Sequence, residues 1–222
     1  FLLRLYRECF GKSAQVPAFH AILQDDTIEV KYQIITRLIE FSQIEPRTRD
    51  FQDDVRTKDK KTGTLPLHLI FAGGRNFRTL DSDDPEIQSF LLETNVELLK
   101  DLIDCYPRAL EEVDNRGWLP LHHALKDDAP LGSIKLLITG NPAALQVADQ
   151  NGVYPVHIAC KFSSVKVVKY LVELAGDTLN NVDANKDSPL HYACRRGKCD
   201  VVKYLLEANV PSVSDTNNNN KL

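Results

Sequence analysis

Apolar residues recur along this chain as a pair, two spacers and a second pair: Ile34-Ile35/Leu38-Ile39, Leu98-Leu99/Leu102-Ile103, Val167-Val168/Leu171-Val172 and Val201-Val202/Leu205-Leu206. Ser133-Ile134/Leu137-Ile138 is a weakened copy, and Phe1-Leu2/Leu5-Tyr6 fits the same spacing 33 residues before Ile34. The i, i+1, i+4, i+5 spacing puts all four side chains on one helical face. Each copy therefore predicts an amphipathic helix with one buried stripe.

Two further patterns keep the same beat. Proline, an aliphatic residue and histidine follow one another at Pro66-Leu67-His68, Pro120-Leu121-His122, Pro155-Val156-His157 and Pro189-Leu190-His191; the last three prolines lie 35 and 34 residues apart. Upstream, Leu110 and Asp114, Leu145 and Asp149, and Leu179 and Asp183 each place leucine four before aspartate, with proline six after it. A fixed period of this length marks one small structural unit copied end to end. Stacked copies give an elongated binding surface rather than a catalytic pocket.

The proline-histidine signature has a physical reading. Ser188 can cap the helix that follows it, because its hydroxyl can accept an otherwise unpaired backbone N–H. Pro189 sits at the first helical position, where no N–H is needed. His191 falls at the third, where a side chain can reach back to the cap, and the small Ala193 lets helices approach closely. Gly117 and Gly152 suit a tight turn. Leu65, Leu119 and Tyr154 occupy the capping slot elsewhere and should lack the hydroxyl cap, at a cost of about 1 kcal/mol each. Lys186 replaces the turn glycine in the fourth copy. Gly197 can end its helix, whereas Asp128 and Ser163 stand at that position in other copies.

The segments DNRGWLPLHHAL, DQNGVYPVHIAC and DANKDSPLHYAC resemble the ankyrin repeat, whose pattern is roughly D-x-x-G-x-T-P-L-H-x-A-A followed by a V-V-x-x-L-L helix. Residues 110–210 resemble it well, 55–109 with an insertion, and 1–54 loosely. The resemblance implies an all-α solenoid of stacked helix-turn-helix units, with a β-turn finger at each junction, and a protein-binding role. The expected organisation is a single array over 1–222: a truncated repeat at 1–10, a degenerate repeat at 17–54, a repeat at 55–109 with an acidic insertion at about 75–87, regular repeats at 110–144, 145–178 and 179–210, and the start of a truncated repeat at 211–222. The first recognisable finger falls around Asp59–Gly63. The chain has no methionine and starts inside what reads as a second helix, so a fragment of a longer array is expected.

Composition narrows the classes. Of the 222 residues 43% are hydrophobic, enough to bury a large apolar area. The net charge is −4. The acidity is local, since residues 75–114 carry −7 while 1–74 carry +1 and 115–222 carry +2. Such a chain is a poor nucleic-acid binder. No stretch approaches the roughly 18 apolar residues of a membrane span. Five cysteines without a C-x-x-C pair point to a reducing compartment, hence a cytoplasmic or nucleocytoplasmic protein. Cys160 and Cys194 share one repeat position and read as small core residues.

Candidate chemistry is thin. Five of the six histidines (His20, His68, His122, His157, His191) lie at or near the repeat signature and read as ties at helix starts. His157 with Cys160, and His191 with Cys194, are i, i+3 pairs on a packed face, without the exposed thiol and third group a nucleophile needs. No zinc spacing and no phosphate-cradling loop is present, so neither enzyme activity nor a cofactor or metal is expected. The acidic cluster at 81–86 lacks the alternating spacing of a calcium loop and reads as a solvated surface loop.

The surface is more informative. Two residues after each signature alanine stand Lys126, Lys161 and Arg195, a basic ladder with steps of about 10 Å if the inner helices pack side by side. Phe162 and Arg196 follow it, and the finger tips add Arg116, Trp118, Asn151, Val153, Asn185 and Asp187. Tryptophan and arginine are enriched among binding hot spots. The expected function is a scaffold or adaptor that grips an acidic or mixed-charge protein segment on this face. The alternative is the targeting arm of a larger enzyme or channel.

Overall fold

A computed structural model describes residues 56–71, 96, 99–100 and 102–208. The expected repeats at 1–10 and 17–54, the insertion at 75–87 and the start of a repeat at 211–222 lie outside these residues. The chain forms two compact units, 1–115 and 116–222. No described residue is in a strand.

In the first unit, helix α1 (Pro66–Leu69) starts as its sequence predicts. Proline opens it, and His68 Nδ1 accepts the backbone N–H of Leu65 at 3.1 Å. An accepting Nδ1 carries no proton, so the ring proton is on Nε2, which donates to the Glu112 carbonyl at 3.0 Å. One imidazole thus fastens a helix start to the backbone of a later segment. The expected finger is in place: Gly63 N–H donates to the Asp59 carbonyl at 2.8 Å, and the Asp59 carboxylate accepts the Thr62 N–H and hydroxyl at 2.9 and 2.6 Å. Leu99 and Leu102 of the apolar stripe are buried.

The second unit stacks three helix pairs. The first helix of each pair is α2 (Pro120–Lys126), α4 (Pro155–Phe162) and α6 (Pro189–Arg196); the second is α3 (Leu131–Gly140), α5 (Val165–Ala175) and α7 (Cys199–Glu207). Helix α4 packs against both α2 and α6, and α5 packs against α3 and α7. Short 3-10 turns precede the fingers, at Pro142–Gln146 and Gly176–Asn180 in this unit and at Pro107–Leu110 within the first. The signature leucines Leu110, Leu145 and Leu179 lie in these turns and are buried.

Three of the four stripe residues of α5, Val167, Val168 and Leu171, are buried, and Val172 is half-buried. Each buried one contributes about 1.5–3 kcal/mol. In α7 the expectation needs correcting. Val201 and Leu205 are buried, but Leu206 is 47% exposed. Cover by a later helix makes the difference at Val168 of α5, on which α7 packs, although Val172 of the same helix stays half-buried. The same rule corrects Cys194. Cys160 is fully buried beneath the next repeat, while Cys194 of the last described pair is exposed.

The expectation holds for Leu119 and Tyr154, with a compensation, but not for Ser188, whose hydroxyl makes no cap bond to the helix backbone. Leu119 and Tyr154 make no side-chain cap bond. In each case the histidine at the third position accepts the cap residue's N–H instead: Leu119 to His122 Nδ1 at 3.1 Å, Tyr154 to His157 Nδ1 at 3.2 Å and Ser188 to His191 Nδ1 at 3.0 Å. The Ser188 hydroxyl also lies 2.8 Å from His191 Nδ1.

The position after the first helix is solved three ways. Gly197 takes a left-handed backbone at φ 72°. Asp128 takes the same region at φ 52°, tolerable for aspartate, and its carboxylate accepts the Ser164 N–H at 3.0 Å. Ser163 stays extended at φ −82° and buries its hydroxyl against the Leu125 carbonyl, 2.9 Å away in the preceding repeat.

Candidate protein-interaction face

The fingers are shaped by buried carboxylates. Asp149 Oδ1 accepts the N–H groups of Asn151 and Val153 at 2.8 and 2.9 Å; Asp183 Oδ1 accepts those of Asn185 and Asp187, each at 2.8 Å. Neighbouring fingers are laced together, with Gln150 N–H donating to the Arg116 carbonyl at 3.3 Å and Ala184 N–H to that of Asn151 at 2.9 Å. The lacing brings backbones close. A Cβ on Gly152 would stand 3.2 Å from the Ala184 nitrogen, in a residue whose φ is already +74°. Glycine is favoured there on both counts.

The remaining carboxylate oxygen of each finger anchors an aromatic side chain. Trp118 Nε1–H donates to Asp149 Oδ2 at 2.9 Å, and the Tyr192 hydroxyl donates to Asp183 Oδ2 at 2.8 Å. Burial, and then the bond to Asp183, push the Tyr192 hydroxyl above its ordinary range, so it stays a donor. Both rings are half-buried. Trp118 lies edge-on to His123, at 5.1 Å between centroids, and Tyr192 packs on His157 at 5.2 Å.

Cations then stand over these rings. Arg116 and Lys126 lie 5.0 and 5.5 Å from the Trp118 ring. Lys161 lies 5.1 Å from the Phe162 ring and 5.6 Å from that of Tyr192. Arg195 lies 5.8 Å from Tyr192, and Arg196 5.7 Å from Phe162. At these distances the ring quadrupole attracts a cation by about 0.5–1 kcal/mol at an exposed site. The expected ladder of Lys126, Lys161 and Arg195 is therefore interleaved with aromatic faces. Lys126, Arg116, Arg195 and Arg196 are exposed; Lys161 and Phe162 are half-buried.

The finger residues divide. Asn151 and Asn185 are exposed and Val153 is half-buried. Asp187 is not an open tip: it is 3% exposed, and its Oδ2 holds Arg195 at 2.7 Å. The Arg195 side chain remains 52% exposed, so much of its fork still faces solvent. The bond to Asp187 raises the Arg195 pKa further, and its charge is permanent. Sequence reasoning missed Tyr192. Its only signal was an aromatic residue two before Cys194 on an inner helix, and its role depends on Lys161 and Asp183 from neighbouring segments.

Burial pushes the Cys160 thiol up to about 12, which makes it a poor nucleophile. Among the described residues no three histidine, cysteine or acidic side chains converge as a metal site, and no helix is long and apolar enough to cross a membrane.

No curated protein matches the chain. Residues 127–219 match the family model described as ankyrin repeats, in three copies.

Proposed function

We propose that this chain is a protein–protein interaction module, as ankyrin repeats generally are. It is a non-catalytic scaffold or adaptor that holds an acidic or mixed-charge segment of a partner protein against α2, α4, α6 and their fingers. In this reading the whole of 1–222 is one array, working in a reducing compartment. The observation that carries the reading is the row of cations set over half-buried rings, from Arg116 and Trp118 to Arg195 and Tyr192. Rings and hydrogen-bonded fingers hold the charges in place before a partner arrives, which lowers the ordering cost of binding. Opposite charge then supplies orientation and a faster encounter.

Poly-glutamate is a direct probe. Trp118 is the chain's single tryptophan and reports from within the row. Titration should change its fluorescence, with an affinity that falls as salt rises. Lys126→Glu, Lys161→Glu and Arg195→Glu together should abolish the change. The double variant lacking the Arg195 substitution leaves Asp187 paired and should weaken binding at least tenfold. Wild-type affinity in both variants would remove the basis of the proposal.

A further inference from the structure

We infer that the row of Lys126, Lys161 and Arg195 is a ruler for an extended acidic peptide whose carboxylates recur at every third residue. The inference rests on the protein-binding reading above and adds the partner's spacing.

The three cations occupy one repeat position, two residues after Ala124, Ala159 and Ala193. Their helices are neighbours, α2 on α4 and α4 on α6. Packed helices sit about 8–10 Å apart, and side chains at one repeat position are expected to recur at about that interval. A polyproline II chain has three residues per turn and rises about 3.1 Å per residue, so every third side chain returns to one face after about 9 Å. A β-strand fails this test, since its third neighbours point to opposite faces. The surface between the cations also suits this conformation. Trp118, Phe162 and Tyr192 are half-buried along the row, and aromatic-lined surfaces are what polyproline II segments dock against. The Tyr192 ring has Lys161 and Arg195 both within 6 Å, so one ring serves the gap between two charges. Successive carboxylates would meet successive cations, while the intervening residues lie on the rings.

Two peptides of one composition test the spacing. The first is three repeats of Glu-Pro-Ala; the second has the three glutamates contiguous. With the full chain, followed by Trp118 fluorescence and calorimetry, the spaced peptide should bind at least tenfold tighter. Lys161→Glu should erase that preference, and a spaced peptide with lysine at its central acidic position should restore binding to this variant. Equal binding of the two peptides, or no rescue by the swap, overturns the ruler while leaving the acidic-partner reading standing. Failure of both peptides together with poly-glutamate overturns both. Preferential binding of a peptide with glutamate at every seventh residue would mean a helical guest and also refute the inference. So would tighter binding of an oligo-dT strand, which would reassign the row to nucleic acid.

Discussion

Cys160 and Cys194 stand at the same position of successive repeats, yet one is sealed and the other open to solvent. The repeats opened by Pro155 and Pro189 are near-copies in sequence, and their helices start and fingers fold alike. They differ in what covers them. Helix α4 lies between α2 and α6, whereas α6 meets a described inner helix on one side. In a stacked array, burial belongs to the position between neighbours and only secondarily to the residue type. The largest expected effect follows directly. An ordinary thiol titrates near 8.5, so a pKa pushed up to about 12 removes roughly three decades of reactive thiolate at neutral pH. Iodoacetamide should modify Cys194 rapidly and leave Cys160 nearly untouched, as peptide mass mapping would show. Equal labelling of the two would break the comparison.

The fingers of these two repeats sharpen it. Asp149 and Asp183 make the same pair of backbone bonds, and each binds an aromatic partner besides. Replacing Asp183 by alanine deletes three acceptors' worth of bonding from a buried site and should destabilise the fold by about 3 kcal/mol. Asp149→Ala should cost as much, with loss of the Trp118 anchor visible in its emission. A cost under about 1 kcal/mol at either site, measured by urea denaturation, would show that the carboxylates do not shape the fingers.

Between those aspartates and their prolines, Gly152 and Lys186 hold one backbone conformation, at φ 74° and 61°. The lysine is there because the surrounding bonds impose the turn: Lys186 N–H donates to the Asp183 carbonyl, as Gly152 N–H does to that of Asp149. A left-handed residue with a Cβ costs about 1–2 kcal/mol. Gly152→Ala should therefore destabilise by about 2 kcal/mol, since the new Cβ also presses on Ala184. Lys186→Gly should stabilise by about 0.5–1 kcal/mol, after allowing for the greater freedom of glycine in the unfolded chain. Opposite signs are the essential outcome; a loss of stability in Lys186→Gly would mean that the lysine side chain holds the finger.

How much of this was legible depends on the range of the interaction. The prolines, histidines and paired apolar residues announce helix starts and stripes because their spacing is local, and α2 to α7 follow it. The shared repeat position of Lys126, Lys161 and Arg195 was legible because register carries over from repeat to repeat. What the pattern hid was decided by side-chain contacts beyond the local turn or helix. Asp187 reads as a finger tip until Arg195 closes on it. Ser163 reads as a lost glycine until its hydroxyl finds Leu125 in the preceding repeat. Tyr192 reads as a filler until Asp183 and Lys161 converge on it. The 3-10 turns at Pro107, Pro142 and Gly176 are too short to show a period at all.

The smallest effect concerns His157, and its sign can be fixed. Burial, the largest influence, holds the His157 imidazole below its ordinary value of 6.5, against the upward pull of the Asp183 carboxylate. The unfolded chain therefore takes up a proton before the folded one. Stability is complete above about pH 6.5 and is lost as pH falls through the lower folded value. The structural reason is that Nδ1 already accepts the Tyr154 N–H, so a proton there would displace the bond that starts α4. One proton contributes at most about 1.4 kcal/mol per pH unit. His157→Gln keeps an acceptor at the same helical position but cannot titrate. Between pH 7 and 5 its urea midpoint should fall less steeply than that of the parent chain, even though its stability at pH 7 is lower. Parallel slopes in the two proteins would mean that His157 does not link acid to unfolding.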